Sequence, residues 1–150
     1  MFWVYEMRCS NAEIPEVEIS CIPFDEQYLT EYRTLYNEAF YPMRRALDIK
    51  PYNWYSDDHA ILEKASDIFL LTNEIGIIGS VACYGNEIDD LFVNRIYAQK
   101  GYGRKLLVWA MHHIREQGFR EIVLHVAEWN EYALKMYKDM GFEISKRERL

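Results

Sequence analysis

The tightest constraint on this chain is the run Leu91-Phe92-Val93-Asn94-Arg95-Ile96-Tyr97-Ala98-Gln99-Lys100-Gly101-Tyr102-Gly103-Arg104-Lys105-Leu106-Leu107. Within it an apolar strand stops, a polar loop carries glycines at 101 and 103, and the hydrophobic period lengthens. Leu106, Leu107, Ala110, Met111 and Ile114 then form one helical stripe that ends at Gly118. Glycines between a strand and a helix let the backbone approach a ligand with several N–H groups pointing one way, and the helix N-terminus adds positive potential. That arrangement suits a pyrophosphate, and Lys100, Arg104 and Lys105 add charge. Taken alone, the two glycines serve a tight turn equally well. The loop also lacks the third glycine of the dinucleotide fingerprint.

The elements around this loop predict an α+β domain spanning residues 1–150, with residues 1–16 an extension or extra strand. Val17, Ile19 and Cys21 alternate with Glu18 and Ser20, predicting a strand over Val17–Phe24. Asp25 caps a helix running to about Phe40, with Leu29, Tyr32, Tyr36 and Ala39/Phe40 on one face. Pro42 and Pro51 bracket an irregular connection, and Ser56 caps a short helix, Asp57–Ala65. Ile68–Thr72, Ile77–Tyr84 and Ile88–Val93, separated by turn residues, read as an antiparallel meander. After the Gly118 helix come a strand at Glu121–Val126, a helix near Glu131–Met140 and a last strand from Phe142. The predicted order is β-α-α-β-β-β-α-β-α-β around a mixed, mostly antiparallel sheet with about four helices.

Charge and composition narrow the function classes. The net charge of −7 argues against nucleic acid as a partner. Residues 1–97 hold 17 acidic and 7 basic side chains, whereas residues 98–150 hold 10 basic and 7 acidic. An acidic half for a cationic substrate and a basic half for an anionic cofactor would fit that division, as would two solvated surfaces. No apolar run reaches the roughly 20 residues of a membrane span. Residues 1–9 carry Glu6 and Arg8 and no small-residue cleavage site, so they do not read as a signal peptide. Cys9, Cys21 and Cys83 are odd in number and form no CxxC pair, which fits reduced core thiols in a cytoplasmic protein. His59, His112, His113 and His125 show no ligand spacing, so no metal is expected.

A second motif follows about 30 residues after the glycines: Asn130-Glu131-Tyr132-Ala133-Leu134-Lys135-Met136-Tyr137-Lys138-Asp139-Met140-Gly141-Phe142. Asn130 can cap a helix, Ala133 and Tyr137 share a face, and Gly141-Phe142 ends the helix and opens a strand. Together the two segments resemble the GNAT N-acetyltransferase superfamily. The loop is similar to its Q/R-x-x-G-x-G/A motif, and Asn130–Phe142 to its N-x-x-A-x-x-x-Y-x-x-x-G-F pattern. The loop departs at Ala98, where the family usually has Gln or Arg, and at Gln99, where it often has Gly.

The resemblance implies acetyl-coenzyme A as co-substrate and an amine as acceptor. It places the pyrophosphate on the amides of Gln99, Lys100, Gly101, Tyr102, Gly103 and Arg104. The pantetheine arm would lie along the backbone of Phe92 and Val93, with Asn130 contacting it or holding the slot open. A backbone N–H near Val93 could polarise the thioester carbonyl. Tyr137 is the implied proton donor to the departing thiolate. An alkyl amine of pKa about 10 must attack as the neutral base, so a proton acceptor is needed. Glu87, Asp89, Asp90 and Glu128 are the candidates, with Asp89 and Asp90 preferred on charge placement. No covalent enzyme intermediate is required.

The resemblance also implies an acceptor side near Phe40–Tyr55, where Tyr41, Tyr52, Trp54 and Tyr55, with Trp129, Asp57 and Asp58, could hold a cation or serve as an aromatic hinge. The acceptor class stays open between a small-molecule amine and a peptide or protein amine, and a homodimer is compatible with the sequence. Two rivals keep the glycine loop and drop the reaction: an acyl-coenzyme A sensing module and a mononucleotide-binding regulatory domain.

Overall fold

In the computed structural model, which describes residues 2–52 and 58–149, the meander is the centre of the sheet. The strands are β1 (Trp3–Cys9), β2 (Ile22–Pro23), β3 (Ile68–Thr72), β4 (Ile77–Tyr84), β5 (Glu87–Val93), β6 (Ile122–Ala127) and β7 (Glu143–Arg149). The helices are α1 (Leu29–Ala46), α2 (His59–Lys64), α3 (Tyr102–Glu116) and α4 (Glu131–Asp139). The strands line up as β2-β3-β4-β5-β6-β1-β7. Neighbours are antiparallel except β5 and β6.

Alternation along the strands splits the core in two. Leu71, Ile78, Val81, Cys83 and Ile88 face α3, whose Leu106, Leu107, Met111 and Ile114 are buried against them together with Met140 and Phe142. Ile68, Leu70, Ile77, Ala82 and Phe92 face Tyr32 and Tyr36 of α1 and Ile61 of α2. Each such aliphatic side chain contributes roughly 1.5–3 kcal/mol when fully buried. With both faces covered, seven consecutive residues of β4, Ile77–Cys83, are buried.

Gly79 of β4 stands opposite Val93 of β5. A Cβ there would sit 2.7 Å from Leu106 Cδ1 and 2.8 Å from the Phe92 carbonyl oxygen. The carbonyl belongs to the ladder and cannot turn aside. Gly79→Ala is expected to destabilise the fold by about 1–3 kcal/mol. Urea unfolding should show a lower midpoint with an unchanged slope.

Three expectations about local structure are corrected. The predicted strand at Val17–Phe24 survives only as Ile22–Pro23. Residues 10–21 instead cross α3, with Ile14, Ile19 and Cys21 packed on its core and His112 Nε2 2.7 Å from the Pro15 carbonyl. The first long strand is β1, inserted between β6 and β7 and antiparallel to both. The first helix does not stop before Pro42 but runs on to Ala46. Pro42 cannot donate to the Glu38 carbonyl, and the helix tolerates that lost bond because the proline is exposed on the cleft side. Asp25 caps a 3-10 turn at residues 26–28 ahead of α1, accepting from the Gln27 N–H at 2.9 Å. The expected cap Ser56 and Asp57 lie outside the described residues, and Asp58 precedes α2.

Among the described residues no helix is long and apolar enough to cross a membrane. None of their His, Cys, Asp and Glu side chains gather in threes that could hold a metal ion. Cys9, Cys21 and Cys83 are unpaired thiols, and burial pushes Cys21 and Cys83 up to about 12.

Candidate active site

The site arises where the sheet comes apart. β5 and β6 share one register pair, Glu87 with Val123, next to a bond from the Val123 N–H to the Asn86 carbonyl at 3.0 Å. Beyond it the strands separate. β6 stays straight because its other edge is held by β1 from Ile122 to Ala127. The gap opens into a cleft of about 780 Å³ running through the sheet. Asn130 and Tyr137 stand on the α4 side, and the second half of α1 closes the other.

β5 is bent at the same place. Ser80 pairs with Phe92 and Ala82 with Asp89, so β5 spends one residue more than β4. The extra residue lies at Asp90–Leu91, and Asp90 has φ 48°, a left-handed conformation that aspartate tolerates better than most residues. In a regular strand Asp89 and Asp90 would face opposite ways. The bulge brings both into the cleft lining.

Their partners differ. Asp90 accepts the Tyr36 hydroxyl on Oδ1 at 2.9 Å and the Tyr84 hydroxyl on Oδ2 at 3.1 Å. Asp89 Oδ1 accepts the Asp90 N–H at 2.7 Å. The Asp89 side chain counts as exposed because the cleft reaches it, yet protein surrounds it on most sides. That partial desolvation, helped by the charge of Asp90, raises its pKa to about 6. Tyr137 is pushed up to about 12, first by burial and then by the charge of Asp89. The carboxyl and the phenol therefore share one cleft and feel each other across it. The other two carboxylates considered as bases are engaged elsewhere. Glu87 lies 3.2 Å from His125 Nδ1, and Glu128 accepts the Tyr5 hydroxyl at 2.8 Å.

α4 holds its two residues by ordinary capping. Asn130 Oδ1 accepts the Ala133 N–H at 3.3 Å, which fixes the first turn. Gly141 at φ 98° ends the helix and lets the Phe142 N–H reach the Tyr137 carbonyl at 3.0 Å. The Tyr137 ring packs edge-on to Phe142 at 6.1 Å.

The glycine loop is more built than a plain turn. Asn94 accepts the Ile96 N–H and donates its amide to the Ile77 carbonyl at 3.1 Å, starting a 3-10 turn at residues 95–97. Tyr97 accepts from Asn73 Nδ2 at 2.8 Å, which pins the turn to the β3–β4 hairpin. Gln99 (φ 61°) and Gly101 (φ 85°) then reverse the chain into α3. Alternation of this kind turns successive N–H groups toward one concavity. A Cβ on Gly101 would meet nothing within 4 Å, so open space lies in front of the loop. The residues present fit a diphosphate. Lys100 and Arg104 are exposed beside it, whereas Lys105 stands 3.5 Å from Glu18. Phe92 offers a ligand its backbone alone, because its ring is buried 5.6 Å from Tyr32 and 6.0 Å from Tyr36. Val93 ends the strand on the edge that β6 has left.

The expected aromatic acceptor wall is only partly there. Trp129 lines the cleft, but Tyr41 and Tyr52 pack on each other at 6.0 Å and do not. Asp58 is bound by Arg33 at 2.7 Å, and Trp54, Tyr55 and Asp57 lie outside the described residues. Three residues that sequence reasoning passed over do belong to the site: Tyr36 and Tyr84, which clamp Asp90, and His125 on the rim. Tyr36 already stood in the α1 stripe, so its burial was readable and its hydroxyl's target was not. Of the other histidines, His113 stacks on Trp109 and His59 pairs with Glu63.

Comparison with known proteins identifies the family. The profile of the acetyltransferase (GNAT) family matches residues 27–142. A mycothiol acetyltransferase of Corynebacterium glutamicum is 26% identical over 123 residues, 73% of this chain and 39% of its own length. The chain thus spans well under half of that relative. The L-ornithine N5-acetyltransferase NATA1 of Arabidopsis thaliana is 31% identical over 70 residues, 47% of this chain and 31% of its own length. Among solved structures, a GNAT-family acetyltransferase from Colwellia psychrerythraea superposes with TM-score 0.76 at 15% identity, covering 98% of this chain and 54% of that one. The family match covers more than half of the sequence and contains the meander, the glycine loop, the divided strands and the tyrosine helix. This chain is a member of the acetyltransferase (GNAT) family.

Proposed function

We propose that the protein is an N-acetyltransferase that moves an acetyl group from acetyl-coenzyme A to a primary amine in a ternary complex. The observation that carries this reading is that Asp89, Asp90, Asn130 and Tyr137 line one cleft where β5 and β6 divide. Acetyl-coenzyme A would supply an activated acetyl thioester. The amides of residues 99–104 would hold its diphosphate, with Lys100 and Arg104 adding charge, and the free edge of Phe92–Val93 would receive its pantetheine arm like an added strand. Asn130 keeps the mouth of the slot in shape through its cap on α4.

Asp89 acts as proton acceptor and Asp90 as the fixed charge beside it. Above pH 6 Asp89 is ionised and takes the proton of the incoming ammonium, freeing the nitrogen lone pair to attack. As the C–N bond forms and the C–S bond breaks, Tyr137 passes its phenolic proton to the sulfur. The acylated nitrogen sheds its second proton, which restores the phenol through solvent, and the proton held by Asp89 is released to solvent. With a pKa near 12, Tyr137 keeps its proton at every pH where the amine is reactive. Known relatives support an amine acceptor: one is named for ornithine N5 acetylation, and an aminoglycoside acetyltransferase from an uncultured soil metagenomic sample shares the fold at TM-score 0.58 and 20% identity.

The test is coenzyme A thiol release from acetyl-coenzyme A in the presence and absence of amines, with binding measured alongside. Amine-stimulated release supports the transfer reading. Binding without release under any amine would favour an acyl-coenzyme A sensor, and no binding would sink both. Gly101→Val provides a check on the cradle. It forces a β-branched residue into φ 85° and a side chain into the space before the amides. The expected result is a rise in KM for acetyl-coenzyme A of roughly tenfold or more, from backbone strain of order 1–3 kcal/mol and lost amide contacts.

A further inference from the structure

Among the described residues the cleft carries its carboxylates at one end, and this bears on which amines enter it. The α1 wall presents Phe40, Met43 and Leu47, spaced to lie on one helix face, and Val4 of β1 with Phe2 just before it adds to the lining from the strand side. Among the described residues that line the cleft, the only ionisable carboxyls are Asp89 and Asp90, with His125 on the rim. Both oxygens of Asp90 accept tyrosine hydroxyls, so Asp89 is the carboxylate left to meet an ammonium group. Glu87 and Glu128, the other carboxylates considered as bases, are already committed, to His125 and to Tyr5.

Resting on the acetyl-transfer reading, we infer that the acceptor is a primary amine carried on an apolar body, an alkyl- or arylalkylamine, rather than a polycation. One ammonium group is met by Asp89, and the rest of the molecule lies against Met43, Leu47 and Phe2. A diamine or aminosugar of the same length would set a second ammonium group on that apolar wall, where a charge without a partner is strongly disfavoured.

The experiment compares kcat/KM for wild-type enzyme across n-alkylamines of increasing length, 2-phenylethylamine, and α,ω-diamines of matching length, at saturating acetyl-coenzyme A. For the monoamines kcat/KM is expected to rise by up to roughly fourfold per added methylene until the wall is covered. Each diamine should fall at least about tenfold below the monoamine of its length. Met43→Glu, which puts a carboxylate on the wall, should shift the diamine-to-monoamine ratio toward the diamine. A flat monoamine series, or diamines that match or exceed monoamines, would overturn the inference while leaving acetyl transfer intact. If no amine stimulates release although acetyl-coenzyme A binds, the transfer reading itself fails and this inference with it.

Discussion

Asp89→Asn is expected to lower kcat/KM for the amine by roughly 10²–10⁴-fold, the range that a positioned proton acceptor supplies. It should also erase a feature of the pH profile. In the wild type the rate falls below pH 6, where Asp89 takes up a proton and can no longer accept one. Asparagine does not titrate there, so the residual activity of the variant should lack that limb. An unchanged limb would assign the base to another group. The same substitution has a second signature with the opposite sign. The folded protein holds the Asp89 proton more tightly than the unfolded chain does, with pKa about 6 against 3.8. Its charge therefore costs stability, not at all below about pH 4, increasingly up to pH 6 and fully above it. Asp89→Asn should raise the unfolding midpoint at pH 8 and leave it unchanged at pH 3.5. Lower activity with higher stability is the pattern of a residue kept for chemistry.

Tyr137→Phe is expected to reduce kcat by roughly 10²-fold while acetyl-coenzyme A binding is retained. The ring keeps its edge-on packing with Phe142, so the fold should tolerate the loss of one hydroxyl. Without that proton the departing sulfur must leave as thiolate. The wild type should show no alkaline limb from Tyr137 up to about pH 10, because burial and the Asp89 charge hold the phenol near 12. A variant with wild-type kcat would remove Tyr137 from the reaction and make it a packing residue of α4.

The parts of this fold that were readable in advance are those whose signal is local. The meander turns, the α3 stripe and the Asn130 and Gly141 caps each rest on a few neighbouring residues. Hydrophobic alternation was less informative. Tyr5, Met7 and Cys9 alternate with Glu6 and Arg8, and Val17, Ile19 and Cys21 alternate with Glu18 and Ser20. The first stretch is a strand flanked on both edges and the second lies across α3, because β6 and β7 offered the first a place between them. Period tells which side of a segment is apolar and leaves its partner open. The site followed the same division. Tyr137, Asp89 and Asp90 could be named from sequence, but their convergence depends on a bulge that shifts β5 by one residue. The clamp of Tyr36 and Tyr84 on Asp90 joins residues 54 and 6 positions away.

The placement of β1 also orders events in time. Val4 pairs with both Ala127 and Glu148, so β1 is synthesised more than a hundred residues ahead of the strands that flank it. Loop closure over more than a hundred residues is entropically costly and slow. The meander and α1 can assemble on the growing chain, whereas β6 acquires its supporting edge only when β1 returns to it. The two walls of the cleft are thus separate achievements of folding, and a nascent chain carries α1, Asp89 and Asp90 well before it carries β6 and α4, the wall that faces β5.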